Sequence, residues 1–283
     1  MSGTLLFTEE EWNAAVPGVV KAMTDYLRPY RVAITEHKQD DDGQKYGDGW
    51  GSGSFLRLGD KIYILTNQHV ACAREEGRVL GYQFDGEEDI RRIVGNHAEF
   101  PHPLDVAVLP VDMKAWADAS NKSKAINVEQ IALGHDLVQT EILTFTGFAG
   151  ERTSFYFDTL FTEGTCFTAR EIPLPQDARF SSRFHFGIDY RPNLASTVIG
   201  DKGLPLPPGL SGSTVWNTGF VAAKMAGVPW TPDIAKVTGI VWGWPSEHAC
   251  LIATRTEFVR SFLLGAPQAI AAASPTAPAS EIA

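Results

Sequence analysis

Cysteine is scarce in this chain of 283 residues: Cys72, Cys166 and Cys250 are odd in number and widely spaced. That argues against a disulfide framework and fits reduced, mostly buried thiols. Basic charge is short as well, with 24 Lys and Arg against 34 Asp and Glu, a formal net charge of −10 and a pI near 5.2. Neither nucleic acid nor an anionic membrane is therefore an expected partner. No run approaches the roughly 20 apolar residues of a membrane span. The N-terminus has no basic n-region, and Leu5-Leu6-Phe7 gives way to Glu9-Glu10-Glu11, so no secretory signal is legible. The expected location is cytoplasmic. No fixed-period repeat is visible. What is present is 44% hydrophobic residues, enough for one large core or two smaller ones.

Taken in order, Thr8 followed by Glu11 is a capping-box pattern that opens a helical segment. Trp12, Val16, Val20, Met23, Tyr26 and Leu27 fall broadly on one side of it, and Pro17 is expected to kink or split it. The stretch 35–49 reads as a solvated polar loop. Its Asp40-Asp41-Asp42-Gly43 lacks a calcium loop's first carboxylate (Lys38) and bidentate Glu (Gly49). From Trp50 the texture is all-β. Ser54–Leu58, the turn Gly59-Asp60 and Lys61–Asn67 read as a hairpin. Further strands are expected at 79–84, 89–94 and 105–111. After a partly helical connector at 113–128 they resume at 141–146, 159–161, 165–168, 184–188, 213–216 and 237–242. Short strands on both sides of a connector predict two β-barrels or a sandwich. Thr256–Leu264 with Gly265 reads as a closing helix and its C-cap, and the Ala/Pro/Ser tail after Ala266 as disordered.

The stretch with the most chemistry is Pro207-Pro208-Gly209-Leu210-Ser211-Gly212-Ser213-Thr214. Ser211 is a poor nucleophile until a base takes its proton. A tetrahedral intermediate also needs backbone N–H donors, which Gly209 and Ser211 can supply. Among the seven histidines, His69 stands where an apolar strand gives way to a turn, at the rim of a rigid scaffold. His37, His97, His102, His135, His185 and His248 read as ordinary structural or surface residues, His185 as a strand residue facing solvent or a pocket edge. Asp105 opens the apolar strand Val106-Ala107-Val108-Leu109, and a carboxylate there needs partners. A histidine ring is one such partner; capping the strand start is the plainer alternative.

The blocks Gly51-x-Gly53-Ser54-Phe55, Leu65-Thr66-Asn67-x-His69-Val70, Asp105-Val106-Ala107-Val108, Gly209-x-Ser211-Gly212-Ser213 and Gly239-Ile240-Val241 follow one another as in the trypsin-like serine peptidases. Over about Trp50 to Leu264 the chain resembles that family, nearest to bacterial members without disulfides of the glutamyl-endopeptidase-like and HtrA-like groups. The resemblance implies an all-β fold of two six-stranded antiparallel barrels of the chymotrypsin type. Its parts would be an N-terminal helical extension and loop (1–49), a first barrel with His69 and Asp105 (50–125), a second barrel with Ser211 and the closing helix (126–266), and the tail (267–283). It implies a His69–Asp105–Ser211 triad, an oxyanion hole at Gly209 and Ser211, and a Thr66 hydroxyl supporting the acid. No metal or organic cofactor is implied.

The sequence departs from that family in three places. Leu210 replaces the usual Asp or Asn, so activation by insertion of a freshly cut N-terminus is not expected. The floor of the S1 pocket would be Pro205 and its wall Trp242-Gly243-Trp244, with no acid to pair Lys or Arg. Trp242 stands where a serine often supports the aspartate. The expected function is a regulated or target-specific cytosolic serine endopeptidase acting on a protein or peptide, with the N-terminal helical segment as a docking or gating element for a regulatory partner. The alternatives are a latent protease-like peptide-binding module and a serine hydrolase acting on esters.

Overall fold

The computed structural model describes residues 7–39, 45–85, 87, 89–117, 122–156 and 159–273. Asp40-Asp41-Asp42-Gly43 and the tail beyond residue 273 lie outside them. The chain is mostly β, with two antiparallel sheets, an N-terminal helix and a C-terminal helix. The first sheet holds β1 (Arg31–Gln39), β2 (Lys45–Leu58), β3 (Lys61–Thr66), β4 (Val79–Gln83), β5 (Ile90–Arg92), β6 (Ala98–Phe100) and β7 (Val106–Pro110), in the order β5-β4-β1-β2-β3-β7-β6. The second holds β8 (Leu143–Tyr156), β9 (Thr159–Ala169), β10 (Glu171–Ile172), β11 (His185–Asp189), β12 (Thr214–Asn217), β13 (Lys236–Gly243) and β14 (Cys250–Arg255), in the order β10-β11-β14-β13-β12-β8-β9.

Among the described residues each sheet thus has seven strands where six are expected. The stretch 35–49 is not a solvated loop: β1 runs through it to Gln39 and β2 starts at Lys45. Its polar residues are paired across the β1–β2 ladder, Thr35 with Gly49 and Glu36 with Asp48. Backbone pairing, which composition does not report, overrides the local polarity there. β6 and β14 also escape the sequence reading. β6 is a three-residue strand in a polar context, and β14 sits in an apolar run of ambiguous period.

Helix α1 (Glu9–Leu27) begins with the expected capping box, Thr8 accepting from the Glu11 N–H at 3.1 Å while Glu11 accepts from the Thr8 N–H at 2.9 Å. It continues unbroken past Pro17. The closing helix runs through Gly265 and Pro267 to Ala272, carried by the alanine-rich run that follows. Short helical turns lie at α2 (Gln68–Ala71), α3 (Met113–Trp116) and α4 (Phe220–Met225). The closing helix, Thr256–Ala272, is α5.

Three apolar clusters organise the chain. One lies within the first sheet, around Phe55, Ile64 and Tyr82. Another lies within the second, around Phe145, Phe186 and Tyr190. The third joins them: Leu56 and Leu65 of the first sheet meet Trp216 and Val237 of the second, with Val19, Met23 and Leu27 of α1 and Val259 and Leu263 of α5 alongside. The inner face of α1 is therefore part of the seam between the sheets. Met23 is fully buried there. Met23→Ala is expected to cost about 2–5 kcal/mol of unfolding free energy, read from a denaturant melt.

Candidate active site

The register of the first sheet brings His69 to Asp105. β3 pairs with β7 so that Thr66 faces Ala107, and the end of one strand lies beside the start of the other. Asn67 then stands at the N-cap position of the single turn of α2, which carries His69, while Asp105 immediately precedes β7. The Asp105 carboxylate is used twice by one residue. Its Oδ1 accepts the His69 backbone N–H at 2.9 Å, and its Oδ2 lies 2.6 Å from His69 Nδ1. An ionised carboxylate only accepts, so in the neutral ring Nδ1 carries the hydrogen and Nε2 keeps its lone pair. The His69 side chain is 45% exposed against 8% for that of Asp105. The imidazole is open to solvent while the carboxylate is closed off. Asp105 takes a left-handed conformation, φ +47°, which costs a non-glycine residue about 1–2 kcal/mol. Its backbone is held there by the Asn67 side-chain amide, which donates to the Asp105 carbonyl at 2.7 Å.

The Ser211 loop is a series of turns whose carbonyls are anchored one by one. Leu210 N–H donates to the Pro207 carbonyl (2.9 Å), Ser213 N–H to Leu210 (3.1 Å), Gly212 N–H to Val241 (2.8 Å) and Gly150 N–H to Pro208 (2.9 Å). Among the described residues, the N–H groups of Gly209 and Ser211 have no hydrogen-bond partner in the chain. In a trans peptide the carbonyl and the N–H point opposite ways. With Pro208 O turned onto Gly150, the Gly209 N–H points away from β8. With Leu210 O turned back onto Ser213, the Ser211 N–H is likewise free. Glycine is obligatory at two points of the loop. Gly209 has φ +96°, and a Cβ there would stand 2.6 Å from the Phe148 carbonyl. Gly212 has φ +91°, and a Cβ would fall 2.0 Å from the Ser52 carbonyl.

Ser52, to which the sequence reading assigns no role, is the hub between these parts. It is fully buried on β2. Its N–H donates to the Ser211 carbonyl at 2.7 Å, and its hydroxyl donates to the Gly209 carbonyl at 2.7 Å while accepting the Phe148 N–H at 2.8 Å. Beside it, a Cβ on Gly51 would meet the Val70 side chain at 2.9 Å and the Ser211 carbonyl at 3.5 Å. The turn carrying His69 and the loop carrying Ser211 thus flank one glycine. Thr66, expected to support the acid, instead gives its hydroxyl hydrogen to the Ser52 carbonyl at 2.7 Å. Thr66 thus braces Ser52, and through it the Ser211 loop, while both Asp105 oxygens contact His69.

The S1 candidates are not gathered around one cavity. Pro205 is buried and its carbonyl accepts the Tyr190 hydroxyl at 2.7 Å; burial pushes the Tyr190 pKa up. Trp242 is turned the other way, its ring centroid 5.8 Å from His102, 5.2 Å from His185 and 5.8 Å from Phe180, beside the loop that leads to Asp105. Gly243 faces Ile252, and Trp244 is 38% exposed. A cavity of about 510 Å³ lies apart from all of these, between α1, β9 and residues 194–204.

For metal ligation, atoms of Glu75, His97 and Glu99 come within 4.8 Å of one another. The Arg74 guanidinium stands 3.4 Å from His97 Nδ1, and Gln68 donates to Glu99 at 3.1 Å. A positive charge already occupies that corner, which suits a hydrogen-bonded chain better than a cation.

No protein-family model matches the chain, and no curated protein matches it. Among solved structures it is similar to the serine protease domain of the Sesbania mosaic virus polyprotein, at 13% identity and a TM-score of 0.43, over 83% of this chain and 92% of that one. It is similar to the same extent, over 83% and 90%, to a structure concerned with aromatic interactions that drive coupled folding and binding of that virus's intrinsically disordered VPg protein. Neither is a bacterial glutamyl-endopeptidase or HtrA protein. Likeness at this level carries no argument about chemistry, which rests on the geometry of His69, Asp105 and the Ser211 loop. No helix among the described residues is long and apolar enough to cross a membrane.

Proposed function

We propose that the chain is a serine endopeptidase of the chymotrypsin type, with Ser211 as nucleophile, His69 as base and Asp105 as the acid that orients it. Ser211 Oγ attacks a peptide carbonyl and passes its proton to His69 Nε2. The tetrahedral oxyanion takes the free N–H groups of Gly209 and Ser211. His69 then protonates the leaving amine, and water releases the acyl group by the same route. The observation that carries this reading is the double contact of Asp105 with His69, which places the hydrogen of the neutral ring on Nδ1 and turns Nε2 into the acceptor of an exposed ring. A histidine held only for structure has no need of a fixed tautomer facing solvent. The Gly150 bond to the Pro208 carbonyl weighs against the latent binding module, whose oxyanion hole would be filled by that carbonyl.

The first sheet would supply the base and acid and the second the nucleophile, in a cytosolic protein. A regulatory partner would engage the outer face of α1, since the inner face is spent on the seam. A fluorophosphonate that forms a covalent adduct with serine nucleophiles tests the assignment. The expected result is one adduct on Ser211, absent in Ser211→Ala and in His69→Ala. Labelling that survives Ser211→Ala overturns it. A P1-scanning peptide library is expected to favour apolar or small residues, because neither Pro205 nor Trp242–Trp244 offers a carboxylate. A clear preference for Arg or Lys would refute that specificity.

A further inference from the structure

His185 and Thr254 face each other in the β11–β14 ladder of the second sheet. Both are buried, at 1% and 0% exposure. His185 Nε2 lies 2.7 Å from the Pro103 carbonyl, and the Thr254 hydroxyl donates to the Leu104 carbonyl at 2.8 Å. These two carbonyls are consecutive and lead directly into Asp105. The His185 tautomer is set by its other nitrogen: Nδ1 accepts the Ser181 N–H at 3.1 Å, so the ring hydrogen sits on Nε2 and is donated to Pro103. Burial holds the ring's pKa below the ordinary histidine value, the bond to Pro103 opposing this and the neighbouring His102 adding to it. The sequence gives no reason for a histidine between two phenylalanines. The contact across the seam does.

We propose that the His185–Thr254 pair is a positioning device for Asp105: the second sheet grips the two carbonyls that precede the acid and so fixes where its carboxylate meets His69. The inference rests on Asp105 being the acid of the proposed peptidase. A left-handed aspartate relaxes readily unless its flanking peptides are held. Asn67 holds the peptide after it, and His185 and Thr254 hold the two peptides before it. Neither residue touches the reacting atoms. Releasing either carbonyl lets the segment turn, and the 2.6 Å contact between His69 and Asp105 loses its alignment.

The test compares Thr254→Val and His185→Phe, which keep shape and remove the donors, with His185→Gln, which keeps an N–H of similar reach. Turnover and KM on a peptide substrate are measured below each variant's melting temperature. The low-field proton resonance of His69 Nδ1–H is recorded alongside, in the active protein and in a Ser211→Ala background. Thr254→Val and His185→Phe are expected to lower kcat about tenfold to a hundredfold with little change in KM, and to move the resonance, while His185→Gln recovers most of the loss. If Thr254→Val and His185→Phe alter only the melting temperature, with kcat and the resonance unmoved, the pair is merely structural and the proposal falls. The resonance does not depend on turnover. A wild-type protein that cuts nothing, with a resonance that still moves on Thr254→Val, would fail the peptidase reading and keep the positioning role.

Discussion

Ser211→Ala is expected to lower turnover of a peptide substrate by a factor on the order of 10⁶ while leaving KM and the melting temperature close to wild type. The loss is confined to kcat because the loop is held by backbone contacts. The Ser211 carbonyl stays bonded to Ser52, and the carbonyls of Pro208 and Leu210 stay on Gly150 and Ser213. The two free N–H groups therefore remain in place, and a residual rate on the order of 10³-fold over water is expected from them and from binding alone. Adding His69→Ala to Ser211→Ala should cost almost nothing more, since the two act as one unit. Stopped-assay kinetics on the single and double variants check both points. Losses that multiply independently would mean that His69 is not the base.

Asp105→Asn is expected to cost about 10⁴ in kcat, and the geometry says why. The His69 backbone N–H is a permanent donor and already uses Oδ1 at 2.9 Å. An asparagine must present its only carbonyl oxygen to that donor, which turns its NH₂ toward His69 Nδ1. Nδ1 must then become the acceptor, and the ring hydrogen moves to Nε2, where it blocks uptake of the Ser211 proton. The substitution is nearly isosteric, so the folded structure should survive it. A drop of less than tenfold, measured with a protein of wild-type melting temperature, would show that the acid does not set the tautomer.

What could be read from the residues was the order of the blocks and the motif that contains the serine. His69, Asp105 and Ser211 each stand in a short stretch whose local pattern, strand end, strand start or glycine-flanked turn, singles it out, and the order of the five blocks supplies the role. The supporting groups carry no such local mark. Ser52 is a small polar residue between glycines, and its four contacts reach Thr66, Phe148, Gly209 and Ser211 across two sheets. The family resemblance assigns the Thr66 hydroxyl to the acid by its matching position, yet the pleat of β3 turns that hydroxyl to Ser52. Trp242 looked like a pocket wall until packing placed it against His102 and His185. β1 was hidden by its polar residues, whose ladder partners lie on β2 and β4. In each case the deciding interaction joins distant parts of the chain, where no periodicity or spacing can register it.

The crossing of supports over the seam has a consequence for the order in which the chain is made. The nucleophile loop of the second sheet is held by Ser52 of the first, and the segment before Asp105 in the first sheet is held by His185 and Thr254 of the second. Thr254 belongs to β14, the last strand in sequence among the described residues. A growing chain therefore carries His69 and Asp105 long before Thr254 grips the segment that precedes Asp105, and carries Ser211 before β14 has joined the sheet. If the chain is the proposed peptidase, its full cutting power arises only once β14 has joined the second sheet, so that a chain still short of that strand threatens neither itself nor its neighbours.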